Sequence, residues 1–195
     1  MTLTLAMLLL LGTALLLVLE LRGVRTTLQL SFRGDIRRET AFLAQYGQSI
    51  ATPLAGWLMA IAKANAWQAQ ARVFAIVCAP VLIASLFCAI LKRSFGRRRP
   101  GRERAGEFTG FGWRHDSERE SFPSSHSACA FALTVTLAHS WPEAAVVFWT
   151  LAFVTALLRY LLDAHFPSDV LAGSLLGLAL GHAGVTWLEA ALPHP

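Results

Sequence analysis

The sequence is dominated by long stretches with no Asp, Glu, Lys or Arg. Met1 to Leu19 carries none, and Thr40 to Ala62 is uncharged between Glu39 and Lys63. Val73 to Leu91, Ser121 to Pro142 and Val170 to Leu188 are likewise uncharged, and Ala144 to Leu158 continues apolar beyond Arg159 to Leu162. A helix needs roughly 20 apolar residues to cross the hydrocarbon core, and the bilayer accepts only helices or closed barrels because backbone polar groups there have no water to bond. Period-two alternation is absent, which disfavours a barrel. The expected fold is therefore all-α: a polytopic membrane protein built as a six-transmembrane-helix bundle, one domain over residues 1–195. Composition agrees, since 55% of residues are hydrophobic and 15% charged, against roughly 25% charged in soluble domains. Disorder is excluded, and a soluble domain is disfavoured.

The first stretch reads as a retained anchor rather than a signal peptide. It lacks a basic leader, its apolar run is long, and no small-x-small site precedes Glu20. Arg22 to Glu39 is polar and basic with Leu28, Leu30, Phe32 and Ile36 interspersed, which suits either a helix lying in the membrane interface or a connecting loop. Cys78, Cys88 and Cys129 all lie in apolar spans without paired spacing and read as small buried hydrophobes. Gly173, Gly177 and Gly181 recur every four residues on one face of the last span, where missing side chains let another helix come close.

The charges are unevenly spread. Of the 17 basic residues, only Lys63 and Arg72 fall in the link between spans two and three, whereas Lys92 to Arg119 holds nine. Counting spans puts that long link on the same face as the link after span one and the turn between spans five and six. Three clusters gather there.

Lys92 and Arg99 offer positive charge at a helix end, with Gly96 and Pro100 breaking the helix so that the chain folds back. Arg forks two hydrogen bonds onto a phosphate and Lys acts as a compact charge, so a phosphoryl group is a natural partner. The alternative, basic residues held at anionic headgroups, suits Arg93, Arg97 and Arg98. In the second cluster, Pro123-Ser124-Ser125-His126 reads as a helix start whose N–H groups attract anions, with His126 in position to give a proton to a leaving oxygen. In the third, His165 and Asp169 flank Pro167, which fits the first turn of the last helix. A carboxylate that takes the proton of one imidazole nitrogen leaves the other free as nucleophile or base. Arg159, costly in lipid, should face a polar cavity and a partner. The bland reading has Arg159 and Asp169 capping two helices with His165 a bystander.

In order, Lys92-x6-Arg99-Pro100, Pro123-Ser124-x-His126 and Arg159-x5-His165-x3-Asp169 resemble the tripartite signature of the type 2 phosphatidic acid phosphatase (PAP2) superfamily. Nine specified residue types make chance a negligible explanation. The resemblance covers the chain from the third span onward and implies a lipid phosphatase of the integral-membrane branch. It implies that His165 attacks phosphorus to form a phosphohistidine, that Asp169 holds its tautomer, and that His126 protonates the departing oxygen and then serves as base towards water. Lys92, Arg99, Arg159, Ser124 and the Ser125 N–H would neutralise the equatorial oxygens. It implies no metal and no cofactor. The partners would be a lipid phosphate or diphosphate and the bilayer, not nucleic acid. Ser125 stands where the signature usually has Gly, and Leu158 where a Ser commonly precedes the Arg. His115, His139, His182 and His194 match no motif position.

Other classes make different demands. A vanadate-dependent haloperoxidase shares the constellation but belongs to soluble relatives. A non-enzymatic protein whose basic face binds anionic lipid would tolerate loss of both histidines, and a metallohydrolase lacks a familiar ligand spacing such as H-E-x-x-H. For orientation, 15 basic residues lie on the motif-bearing face against two on the other, which under the positive-inside rule points that face to the cytoplasm. The resemblance implies the opposite, a bacterial plasma membrane protein with its site on the periplasmic side and both termini in the cytoplasm. Removing Lys92, Arg99 and Arg159 from the count still leaves 12 against two. The expectation follows the resemblance.

Overall fold

A computed structural model describes residues 3–28, 30, 34–48 and 50–191, and Phe32 and His194 lie outside them. The elements are α1 (Leu3–Leu21), α2 (Gly34–Leu43), α3 (Ala51–Lys63), α4 (Trp67–Phe95), α5 (Ser125–Ser140), a 3-10 turn (Pro142–Ala144), α6 (Ala145–Leu161) and α7 (Pro167–Ala191). No strand occurs among the described residues, so the all-α expectation holds.

Among the described residues, four helical segments are long and apolar enough to cross a membrane: Thr4–Leu21, Trp67–Phe95, Pro142–Leu161 and Pro167–Trp187. The other two expected spans differ. Thr40 to Ala62 is not one helix: α2 ends at Leu43, α3 starts at Ala51, and Gly47 between them has a φ of +82°. That left-handed turn is set by packing, because a Cβ at Gly47 would lie 2.6–2.7 Å from the backbone of Cys129 and Ala130 in α5. Helix α5 has 16 residues, about 24 Å at the usual helical rise. Within the basic segment after the first span, the described helix begins only at Gly34 and runs on to Leu43.

Helix α5 is the centre of the fold. Every residue from Ser127 to Leu137 is buried, and α4, α6 and α7 pack around it. Its shortness and its burial have one cause: it meets other helices on all sides and needs no lipid-facing stripe. The peripheral helices do the reverse, with Leu8, Leu11 and Leu15 of α1 and Val146 and Phe153 of α6 exposed to the surroundings.

The glycine row of α7 works as its spacing suggests. A Cβ at Gly173 would run into the Ser124 carbonyl, one at Gly177 into the Ala128 carbonyl, and one at Gly181 would lie 3.0 Å from Val135 Cβ. The starts of α5 and α7 are therefore held side by side, and the Ser124 N–H donates to the Asp169 carbonyl at 2.9 Å. Farther along, Gly184 accommodates the ring of Pro80, which sits inside α4. Pro80 leaves a gap in the helical hydrogen-bond ladder, which close helix packing tolerates within a membrane.

Candidate active site

Each motif sits where an apolar helix gives way to an irregular turn, at one end of the bundle. Helix α4 ends on Gly96 in the left-handed conformation, its N–H bonded to the Lys92 carbonyl, a common helix stop. The chain then folds back as expected: Arg97 pairs with Phe108, and Arg98 N–H donates to the Glu107 carbonyl. Ser124 caps α5, its hydroxyl accepting from Ser127 N at 3.4 Å and Ser127 Oγ at 3.0 Å. Arg159 lies in the last turn of α6, and Pro167 opens α7.

These turns converge. Lys92 Nζ donates to Ser125 Oγ at 2.9 Å, so the Ser that replaces the usual Gly holds the lysine. Arg99 donates from Nε to the Ser117 carbonyl (2.7 Å), from Nη1 to Ala164 (3.3 Å) and from Nη2 to Glu120 (3.4 Å). Three of its five N–H donors are thereby used, leaving two for a ligand. Lys92, Arg99, Arg159 and His165 all lie within electrostatic reach of His126. Arg159 Nε is buried with no hydrogen-bond partner, and no charged partner for this arginine is found among the described residues.

His165 is fully buried. Its Nδ1 lies 2.8 Å from the Ser121 carbonyl. A carbonyl only accepts, so Nδ1 carries the proton and Nε2 keeps its lone pair. Nε2 is buried and has no hydrogen-bond partner among the described residues. Asp169 Oδ2 stands 3.7 Å from Nδ1, close enough for charge attraction but outside hydrogen-bond range. Its oxygens are taken elsewhere: Oδ2 accepts from Ser121 Oγ (2.6 Å) and Phe166 N (3.0 Å), and Oδ1 from Arg97 Nη1 (2.5 Å). Asp169 thus also caps its own helix, the part of the bland reading that the geometry contains.

Burial pushes the His165 imidazole down to about 3, assisted by the charges of Arg159 and Lys92 and opposed by Asp169. A lowered value means the neutral ring persists as pH falls. In detergent-solubilised protein labelled with 15N-histidine, His165 is expected to remain a neutral imidazole at about pH 5, below the ordinary histidine range. A protonated ring at that pH would contradict this.

The sequence model of the PAP2 superfamily matches residues 73–192. The chain belongs to that superfamily.

Among sequence relatives, the PAP2 chain is 36% identical over 98 residues to the lipid A 1-phosphatase of Rhizobium johnstonii, covering 50% of this chain and 40% of that protein. A lipid A 1-phosphatase of Porphyromonas gingivalis is 35% identical over 103 residues, 50% of this chain and 20% of that protein. The chain thus matches less than half the length of these curated relatives. Its fold is shared with the crystal structure of Aquifex aeolicus LpxE (TM-score 0.60, 22% identity, 80% of this chain and 88% of that one). It is also shared with the first transmembrane PAP2 type phosphatidylglycerolphosphate phosphatase from Bacillus subtilis (TM-score 0.64, 19% identity, 95% and 96%). With four apolar helices of membrane-crossing length and a membrane PAP2 fold, this is an integral membrane protein.

Three participants escape a reading of the sequence. Arg97, expected at the headgroups, is completely buried, bonded to Asp169 (2.5 Å) and to Glu20 Oε2 (2.8 Å). It is enclosed because the folded-back link lays Phe108 over one side and the turn before α7 presents Phe166, with guanidinium-to-ring distances of 5.1 and 4.2 Å. Nothing in the run Arg97-Arg98-Arg99 sets the first apart. Ser121 is equally unmarked in sequence. Glu20 did carry a signal, as the sole charge in α1, where a carboxylate next to lipid requires a partner. Of the link's aromatic residues, Phe108 and Phe122 pack edge-to-face with Phe95, whereas Phe111 and Trp113 are exposed, and aromatic residues of that kind suit a membrane–water boundary. His115 and His139 pair with Glu120 and Glu189.

Proposed function

We propose that this PAP2 protein is a metal-independent lipid phosphatase that hydrolyses a phosphate monoester or diphosphate through a phosphohistidine. The observation that carries the reading is His165: a buried imidazole whose Nδ1–H is fixed on the Ser121 carbonyl and whose Nε2 lone pair has no partner among the described residues, within electrostatic reach of Arg159, which has no charged partner among them. A fixed tautomer beside an unsatisfied cation is what an incoming phosphoryl group requires.

In the first step His165 Nε2 attacks phosphorus in line. The N–P bond forms as the P–O bond to the lipid breaks, and His126, protonated once the negative charge of the bound phosphate offsets the cations around it, gives its proton to the leaving oxygen. His126, now neutral, takes a proton from water, which attacks phosphorus; the P–N bond breaks and inorganic phosphate leaves with His165 restored. Asp169 steadies the positive charge on the ring through space. Lys92, Arg159, the two uncommitted donors of Arg99, the Ser124 hydroxyl and the Ser125 N–H at the start of α5 offset charge on the equatorial oxygens.

A lipid substrate is supported by two grooves, with cavity volumes of about 570 and 520 Å³. Their linings are mostly apolar, the first including Phe74 and Leu82 and the second Phe42 and Leu54, and Gln48 belongs to both. Gln48 Nε2 donates to the Ser125 carbonyl at 3.4 Å, which joins both grooves to the phosphate-binding turn and suits acyl chains hanging from a headgroup held there. Lipid A phosphate heads the candidates because the three sequence relatives are lipid A 1-phosphatases; phosphatidylglycerol phosphate, phosphatidic acid and undecaprenyl diphosphate follow. Purified protein given each of the four with EDTA present is expected to release phosphate from at least one. Release from none, or only after a divalent metal is restored, would overturn the reading.

The site is proposed to face the periplasm, with both termini in the cytoplasm. A C-terminal alkaline phosphatase fusion should then be inactive and a green fluorescent protein fusion fluorescent. The reverse pattern would show that the basic surplus sets the orientation.

A further inference from the structure

We infer that Arg97 and Glu20 are positioning residues for the His165 centre: a buried ion pair, one partner at an unspecified position of the first motif and the other outside all three, that fixes the Asp169 carboxylate and, through Ser121, the imidazole. This rests on the phosphatase reading above. The contacts close a ring. Arg97 Nη1 donates to Asp169 Oδ1 at 2.5 Å, Asp169 Oδ2 accepts from Ser121 Oγ at 2.6 Å, and the Ser121 N–H returns to the Arg97 carbonyl at 3.0 Å. The Ser121 carbonyl is the acceptor that sets the His165 tautomer. Any shift of Arg97 therefore moves both groups that define the imidazole.

Arg97 is committed where Arg159 is not. Its Nε donates to the Gly106 carbonyl (3.4 Å), Nη1 also donates to Ser168 Oγ (2.7 Å), and Nη2 donates to Glu20 (2.8 Å). Aromatic rings lie against it, and its side chain is 0% exposed. So enclosed, it has no route to a phosphate. Glu20 is 2% exposed at its side chain and bonds Ser168 through both N–H and hydroxyl. It comes from α1, outside the segment the superfamily model matches, and joins that helix to the first turn of α7. Buried ion pairs add little net stability over apolar packing of the same shape. What this one supplies is geometry, with Glu20 balancing the guanidinium that Asp169 alone would share with it.

The test uses the full chain in detergent, with Arg97→Met, Arg97→Lys, Glu20→Gln and the double variant Glu20→Gln/Arg97→Met. Kinetics are read on dioleoyl phosphatidic acid or lipid A in mixed micelles, whichever the wild type turns over, and the His165 tautomer by 15N NMR without substrate. Misplacing a reacting group by about 1 Å costs about 100-fold, so Arg97→Met should lower kcat by about that factor with KM within about threefold. Arg97→Lys should recover about tenfold of the loss. Because Glu20 reaches the Asp169 carboxylate through Arg97, the double variant should be no worse than Arg97→Met in kcat, since groups in one network are not additive. The sharp Nδ1–H signal of His165 should give way to mixed tautomers in Arg97→Met.

A rise in KM at unchanged kcat would make Arg97 a phosphate ligand and overturn the inference. So would losses that multiply in the double variant, or an unchanged tautomer. If Arg97→Met does not fold, Arg97→Lys and Glu20→Gln carry the same comparison, each expected to show a kcat loss and a disturbed tautomer; the absence of both effects would overturn the inference. If the wild type hydrolyses none of the four candidate lipids, the phosphatase reading fails, and the NMR result still decides whether Arg97 orients His165.

Discussion

His165→Ala is expected to remove phosphate release by at least about 10⁴-fold, because loss of a nucleophile in a concerted catalytic group costs factors of that order or more. Folding should survive. The wild-type ring is neutral and its one hydrogen bond goes to a backbone carbonyl, so truncation leaves one buried acceptor unpaired, a cost of about 1–3 kcal/mol. Three measurements check this: phosphate release, thermal unfolding in detergent, and acid-labile, alkali-stable phosphate on quenched enzyme. The wild type should carry the phosphohistidine, and His165→Ala none. His126→Ala, given a substrate with a good leaving group, should accumulate it, because the first step then needs no acid while water attack still lacks its base. More than about 1% residual activity in His165→Ala would be incompatible with nucleophilic catalysis at this residue.

The second large effect comes from removing nothing. Gly173→Ala adds one methyl group, yet that carbon would overlap the Ser124 carbonyl and lie 3.1–3.2 Å from Ser124 C and N. The obstacle is backbone at the cap of α5 and has no rotamer to escape into. Helix propensity favours Ala over Gly by about 1 kcal/mol, whereas overpacking of this kind costs about 1–3 kcal/mol, so destabilisation wins. The consequence for activity is larger still, since separating the starts of α5 and α7 stretches the Ser124 N–H to Asp169 carbonyl bond and moves His126 away from His165. A loss of about 100-fold is expected. Gly177→Ala, against the Ala128 carbonyl one turn farther on, should cost comparable stability with a smaller loss of activity. Gly12→Ala is the control: its Cβ would make an ordinary 3.6 Å contact with Leu171, so it should be neutral or slightly stabilising. Equal behaviour of the three would show that the glycine row does not set the helix spacing.

Residues differ in how far their surroundings can be read from the chain. The Gly173, Gly177 and Gly181 row was legible because one helix face is a local property, and a period of four needs no knowledge of the neighbour. Gly96, Ser124 and Pro167 were legible for the same reason, each ending or starting a helix through its own backbone preference. The second expected span misled because absence of charge measures only compatibility with lipid. The break at Gly47 is imposed by the backbone of α5, some 80 residues away. Arg97 misled for the complementary reason, that an Arg within a basic run looks solvated until aromatic rings and carboxylates from three other segments enclose it.

Local chemistry therefore determined the helical class, the membrane setting and the three motif groups, since apolar length, helix caps and charge type are carried by consecutive residues. The superfamily was decided at the same level. Tertiary structure alone decided which partners those groups meet: that the Ser121 carbonyl rather than Asp169 accepts the hydrogen bond from His165 Nδ1–H, that Ser125 holds Lys92, and that Glu20 reaches Asp169 through Arg97. Hydrogen bonds act over about 3 Å, and no spacing along a sequence reports a distance of that kind between residues 20, 97, 121 and 169.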